Sequence, residues 1–230
     1  MAANAWVRLP SGWIDRKELA SLQWRAGGEG SDNTAALMAL TAIAHRADPE
    51  NGVTRATYDD LCAQTGLSRA KLSKGLAVLK RMNVVGSGPG DARSTYKLAN
   101  YDPQIGWAKL PAKSMYSSNQ IAAFDNFQLR RVVELDALKL FFLFVARRDR
   151  KTNCANISYN KIEEYTRITR ARIKTAISFL ASLSLIYVEH LPSNSNEMGI
   201  SNVYRVVGVE TSNHFGTTGR RGDAVDAAPP

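Results

Sequence analysis

The feature that most constrains this chain is an internal repeat at a constant offset of 101 residues. WVRLP at residues 6–10 recurs as WAKLP at residues 107–111, and Arg69 and its neighbour Ala70 recur at 170–171. Chemically similar residues fill many further pairs at this offset, and no gap is needed from residue 6 through residue 85. Matches in this number at one offset predict two copies of one domain.

The repeat divides the chain into two domains of similar size. We expect a first domain over residues 1–98, a linker over 99–106 and a second domain over 107–210. The linker would span only about 30 Å when fully extended, so the two domains should lie close together. Residues 211–230 are rich in Gly, Ala and Pro, and we expect this tail to be disordered.

Hydrophobic spacing and capping residues predict the same elements in both copies. Thr57 and Ser68 are suited to begin helices, and Gly66 between them is suited to end one. A turn-rich stretch at 86–91 suits the tip of a hairpin. In the second copy, residues 117–131 predict an additional helix with Ile121, Phe124 and Leu129 directed inward. The predicted helices are 34–46, 57–65, 69–82, 134–148, 158–166 and 170–183, and the predicted strands are 83–86, 94–98, 185–189 and 202–207.

Two helices joined by a tight turn and followed by a hairpin are typical of a helix-turn-helix with a wing. The expected fold is therefore mainly α with small β-hairpin wings (α+β), arranged as two tandem winged-helix domains.

The positions of the charges favour a nucleic-acid partner. The chain carries 30 Lys and Arg against 21 Asp and Glu, a net charge of +9. Residues 66–85 contain five basic residues and no acidic one, and residues 167–186 contain four basic and no acidic one. These two windows cover the helices that a helix-turn-helix presents to the major groove.

Candidate DNA contacts follow from this placement. Lys and Arg on such a helix neutralise phosphates, and Arg also binds guanine in a bidentate manner. A hydroxyl at a helix N-terminus suits both capping and phosphate contact, and basic residues in the hairpins would reach phosphates or the minor groove. The candidates are Ser68, Arg69, Lys71, Ser73, Lys74, Arg93, Lys97, Thr169, Arg170, Arg172, Lys174, Thr175 and Arg205.

Other kinds of site receive little support from the sequence. The three histidines and two cysteines lack metal-ligand spacing, so we expect no metal and no cofactor. Tyr58 and Tyr159 occupy matching positions, and packing is the favoured interpretation over a role as nucleophile. We therefore expect no enzymatic activity. The longest apolar run, residues 140–146, is too short to cross a membrane, and we expect a cytoplasmic protein without a membrane partner.

With these residues laid out, the chain resembles tandem winged-helix DNA-binding proteins of plasmids and phages. The resemblance is carried by residues 58–79 and 157–180, and by the shared pattern Ser/Thr-Arg-Ala-Lys/Arg-Leu/Ile at 68–72 and 169–173. The architecture is similar to that of plasmid replication initiators with two winged helices. This resemblance implies binding to double-stranded DNA in replication initiation, partition or transcriptional control.

Three functions remain to be compared. The first is sequence-specific binding of double-stranded DNA by both helices, at half-sites about one helical turn apart, by a chain that could also form homo-oligomers or bind replication or partition proteins. The second is a winged-helix adaptor that binds a protein through the aromatic helix and long hairpin tip of the second copy. The third is a nuclease or nickase.

Overall fold

The computed structural model describes residues 4–88, 94–192 and 200–209, and it is a mixed α+β structure with small antiparallel sheets. The tail beyond residue 209 and most of the tip of each hairpin lie outside these residues. The first half contains β1 (Trp6–Pro10), α1 (Gly12–Asp15), α2 (Glu29–His45), β2 (Val53–Arg55), α3 (Tyr58–Thr65), α4 (Arg69–Arg81), β3 (Val85–Ser87) and β4 (Thr95–Leu98). The second half contains β5 (Trp107–Pro111), β6 (Tyr116–Ser117), β7 (Gln120–Ile121), α5 (Val132–Arg147), β8 (Cys154–Asn156), α6 (Tyr159–Thr166), α7 (Arg170–Ser182), β9 (Ile186–Pro192) and β10 (Ile200–Val206).

Local capping determines where α3 and α4 begin. The Thr57 hydroxyl accepts a hydrogen bond from the Asp60 backbone N–H, and the Asp60 carboxylate accepts one from the Thr57 N–H. Gly66, with a φ of 72°, ends α3 in the left-handed conformation that favours glycine. Ser68 then caps α4 by accepting from the Lys71 N–H. The predicted bounds of these helices are confirmed to within a residue.

Each half also contains a short strand that the sequence did not indicate. β2 pairs with β4 to make the order β2-β4-β3, and β8 pairs with β10 to make β8-β10-β9. Both predicted hairpins are thus parts of three-stranded antiparallel sheets. In each half, the additional strand joins the loop after the long helix (α2 or α5) to the hairpin of the same half.

The predicted helix over residues 117–131 is wrong. Residues in this stretch form the β6–β7 hairpin and a 3₁₀ helix, Ala122–Asn126. Ser118 and Leu129 have φ values of 56° and 60°, a conformation that interrupts an α-helix. Ile121 and Phe124 are buried as expected, and Leu129 is half-buried.

The core is built around α2 and α5. From residue 33 to residue 45, every residue of α2 is buried, because this helix packs against α3, α4, β1 and α5. Phe141, Phe142 and Phe144 of α5 are fully buried. The aromatic face of α5 is therefore core, and the idea that it contacts a partner protein is wrong.

The two halves meet along β1 and β5, which form an antiparallel two-stranded sheet. The segment after β1 packs on the second half, where α1 contacts α5 and the 3₁₀ helix Glu18–Ser21 contacts α6. The segment after β5 packs on the first half, where β7 contacts α3. None of the helices within the described ranges has the length and apolarity needed to cross a membrane.

Candidate nucleic-acid interface

The candidate interface consists of the exposed faces of α4 and α7. Leu72, Leu76 and Leu79 hold α4 in the core, and Ile173, Ile177 and Leu180 do the same for α7. The opposite faces are open to solvent and carry basic and hydroxyl side chains close to each helix N-terminus. The exposed residues of the first two turns are Arg69, Ala70, Ser73 and Lys74 in α4, and Arg170, Ala171, Lys174 and Thr175 in α7.

The N-termini of the two helices differ in their caps. The Ser68 hydroxyl accepts from the Lys71 N–H at 3.3 Å, whereas Thr169 makes no side-chain capping bond. Both residues are exposed. Each helix end thus presents partial positive charge from its backbone N–H groups to solvent, together with a hydroxyl.

Arg69 is held by a carboxylate of the preceding helix. Its Nε and Nη2 atoms donate to Asp59 Oδ1 at 3.1 and 2.7 Å. Both side chains are largely exposed, at 67% for Arg69 and 76% for Asp59. The hydrogen bond and charge of Asp59 raise the pKa of Arg69. The ion pair fixes the guanidinium at the start of α4 but cancels part of its charge there.

Arg170 occupies the equivalent place in α7 and has no acidic partner among the described residues. The residue corresponding to Asp59 is Asn160, and Arg170 Nη1 lies 3.4 Å from its Oδ1. The guanidinium also lies over the ring of Tyr159, 5.8 Å from the centroid. The same scaffold therefore positions both arginines, and among the described contacts Arg69 is paired with a carboxylate whereas Arg170 is paired with a neutral amide.

Lys71 and Arg172 are engaged with the long helices instead. Lys71 Nζ lies 2.7 Å from Asp32 Oδ1 of α2, and Arg172 makes a bidentate pair with Asp136 of α5 at 2.7 and 2.6 Å. Asp136 is 2% exposed, and burial raises the pKa of its carboxyl while Arg172 opposes that change. These two cations hold α4 and α7 against α2 and α5.

The hairpin candidates fall into three cases. Lys97 is exposed on β4, where it remains a candidate contact. Arg93 lies outside the described residues. The prediction for Arg205 is wrong, because this side chain is 3% exposed and pairs with Glu189 at 2.6 Å. Arg205 also donates to the Thr152 carbonyl, which ties β10 to the loop before β8.

Sequence reasoning missed the two residues that set the charge at the helix starts, Asp59 and Asn160. They stand ten residues before Arg69 and Arg170, so they are equivalent in the repeat, and they differ by one charge. Their difference was visible in the alignment of the two copies. What the alignment could not provide was the contact between the N-terminus of α3 and that of α4.

No group of three or more His, Cys, Asp or Glu side chains able to hold a metal is found within the described part of the chain. Comparison of the sequence with protein-family models and with curated proteins yields no match.

Proposed function

We propose that this chain is a sequence-specific double-stranded DNA-binding protein made of two winged-helix domains. In this proposal α4 and α7 are the recognition helices, and the hairpins β3–β4 and β9–β10 are the wings. The biological setting we propose is a plasmid or phage, with a role in replication initiation, partition or transcriptional control, and no catalytic activity.

The observation that carries the proposal is the arrangement of Arg69 and Arg170. Each is the first residue of a solvent-exposed helix that contains no acidic side chain. In a helix-turn-helix complex, the N-terminal residues of the second helix contact base edges. Arg there donates to the O6 and N7 atoms of guanine or to phosphate oxygens.

Single substitutions at the helix starts test the proposal. We expect Arg170→Ala to weaken binding to a selected duplex by roughly 5- to 150-fold. Arg69→Ala should cost less, because Arg69 must first give up its contact with Asp59. The measurement is fluorescence anisotropy at fixed salt, with Lys113→Ala as the control, since Lys113 is an exposed cation outside both helices. If the wild type and the Arg69→Ala/Arg170→Ala double variant bind the duplex equally, the N-termini of α4 and α7 do not contact DNA.

A second candidate function is an adaptor that binds another protein. It is favoured by β9, where Tyr187 is 54% and Val188 is 36% exposed. Consecutive residues of a strand point to opposite faces of the sheet, so the exposed Tyr187 ring, rather than a continuous apolar patch, would make the contact. Salt distinguishes the two functions, because DNA binding weakens steeply with added salt whereas an apolar contact at Tyr187 does not.

A further inference from the structure

The sheet that joins the two halves pairs a strand with its own copy. The register runs from Trp6 opposite Pro111 to Pro10 opposite Trp107, with Arg8 opposite Lys109 at the centre. Adding the repeat offset of 101 to Arg8 gives Lys109, so the central pair maps onto itself, and the same shift interchanges the other pairs of the register. The sheet is therefore symmetric about a two-fold axis through its central pair, as in a dimer that uses the same strand from both subunits.

Backbone bonds beyond the sheet obey the same symmetry. Ser11 N donates to Gly106 O at 2.9 Å, and Ala112 N donates to Ala5 O at 2.9 Å. Residues 11 and 112 are equivalent in the repeat, as are residues 5 and 106. The two bonds are therefore one contact made twice, once in each direction across the axis.

Side chains on the sheet follow the symmetry too. The rings of Trp6 and Trp107 stack with centroids 5.8 Å apart. Arg8 lies over the Trp107 ring at 5.3 Å, and Lys109 lies over the Trp6 ring at 4.4 Å. Each half thus provides one tryptophan and one cation, and each cation covers the tryptophan of the other half.

The axis relates the whole halves because each long helix packs on its own strand and on the other helix. α2 contacts β1, α5 contacts β5, and α2 contacts α5. Each helix also hydrogen-bonds the opposite half, although through residues that are not equivalent in the repeat: His45 Nε2 bonds to Pro111 O at 2.7 Å and Lys139 Nζ donates to Leu22 O at 2.8 Å. Since α4 packs on α2 and α7 on α5, the axis also relates α4 to α7.

From this arrangement we infer that α4 and α7 read an inverted repeat rather than a direct repeat, an inference that rests on the proposed DNA-binding function. A DNA duplex has two-fold axes perpendicular to its helical axis. When the two-fold axis that relates α4 and α7 coincides with one of them, the two helices contact half-sites in inverted orientation. Direct repeats require the second helix to be displaced along the duplex without being turned round. The β1–β5 sheet excludes that relation.

The two half-sites of this inverted repeat should be related but not identical. Arg69 and Arg170 are shared, whereas the exposed pair Ser73 and Lys74 in α4 corresponds to Lys174 and Thr175 in α7. Bases contacted by the shared arginine should match in both half-sites. Bases contacted from the second turn should differ.

Selection of duplexes from a randomised pool by the full chain, followed by sequencing, tests the inference. We expect two half-sites in inverted orientation at one fixed spacing. Half-sites in direct orientation, or a single unpaired half-site, would overturn the inference and leave the proposed DNA-binding function intact. Failure to enrich any sequence would overturn the proposed function, and the inference with it.

A double substitution provides a second test that does not depend on the selected spacing. Ser73→Lys combined with Lys74→Thr gives the first two turns of α4 the exposed residues of the first two turns of α7, and both positions are solvent-exposed, so folding should be retained. We expect this variant to prefer a perfect palindrome of the half-site bound by α7 over the natural site. Unchanged preference for the natural site, with a normal circular dichroism spectrum, would show that α4 and α7 do not read symmetric half-sites.

Discussion

The difference between Asp59 and Asn160 leads to a prediction in which one half of the molecule serves as the reference for the other. Asp59→Asn gives α3 the residue that α6 already carries, so the scaffold has accepted this side chain in the equivalent place. The amide oxygen can still accept from Arg69, as Asn160 Oδ1 does from Arg170. The substitution removes the carboxylate that, in the proposed complex, would compete with phosphate for the guanidinium. We therefore expect Asp59→Asn to bind DNA more tightly than the wild type.

The size of the effect follows from the release of counterions. If Arg69 gains one phosphate contact, the slope of log K against log[salt] becomes steeper by about 0.9. The ratio of variant to wild-type affinity should then fall about 3.5-fold between roughly 50 and 200 mM salt. The gain is largest at low salt. The reverse substitution, Asn160→Asp, should make the slope shallower by a similar amount.

The assay is an anisotropy titration of a selected duplex over a series of salt concentrations. Glu50→Gln is the matched control, because Glu50 is exposed and the substitution changes net charge by the same amount away from the helix starts. We expect the slope of Glu50→Gln to equal that of the wild type. An unchanged slope in Asp59→Asn, or an equal change in the control, would refute the reasoning that Asp59 restrains Arg69.

Three further predictions concern the scaffold. Gly75→Ala should destabilise the fold by about 1–3 kcal/mol in urea unfolding, because a Cβ at this position would lie 2.8 Å from the backbone of Ala35 and Ala36. An unchanged urea midpoint would contradict the close crossing of α2 and α4. Burial lowers the pKa of His45 to about 4, so the unfolded chain takes up the proton first and stability is lost as pH falls from about 6.5 towards 4, with roughly 2 kcal/mol gone by about pH 5. His45→Gln should show a smaller loss of stability over this range. An equal loss in both proteins would contradict the attribution of this pH dependence to His45. Calorimetry should show one cooperative unfolding transition, since each half packs a segment on the other, and two separate transitions would show that the halves are independent.

The parts of the fold that the sequence predicts are those decided by neighbouring residues. Thr57, Asp60, Gly66 and Ser68 act within one turn of their own position, so the bounds of α3 and α4 follow from local chemistry. The strand Val53–Arg55 was missed because three residues are too few to show alternation. Its existence depends on pairing with Thr95–Leu98, about 40 residues further along the chain.

The same distinction separates the predicted from the unpredicted parts of the interface. The concentration of basic residues on α4 and α7 is visible in the sequence because it lies within single windows. The partners of those residues are not, since Lys71 pairs with Asp32 and Arg172 with Asp136 on helices well before them. The repeat does not reveal these pairs either, because position 133, which aligns with Asp32, holds Val. The two ion pairs nevertheless join equivalent helices, α4 to α2 and α7 to α5. The carboxylate of the second pair is shifted along its helix by about one turn.

Because both halves belong to one chain, the two related helices can differ in sequence, which the subunits of a homodimer cannot. In a homodimer, the residues at the two helix starts are identical, so two half-sites of the same sequence are bound equally. Here the axis through Arg8 and Lys109 relates the two scaffolds, while Asp59 and Asn160 give the related arginines different charge environments. In the proposed complex, α7 therefore provides the stronger electrostatic anchor, and α4 is the half whose contribution the Asp59 carboxylate restrains. In that proposed complex, the two-fold axis would set the orientation of the half-sites, and the departures from symmetry would set how strongly each half-site is bound.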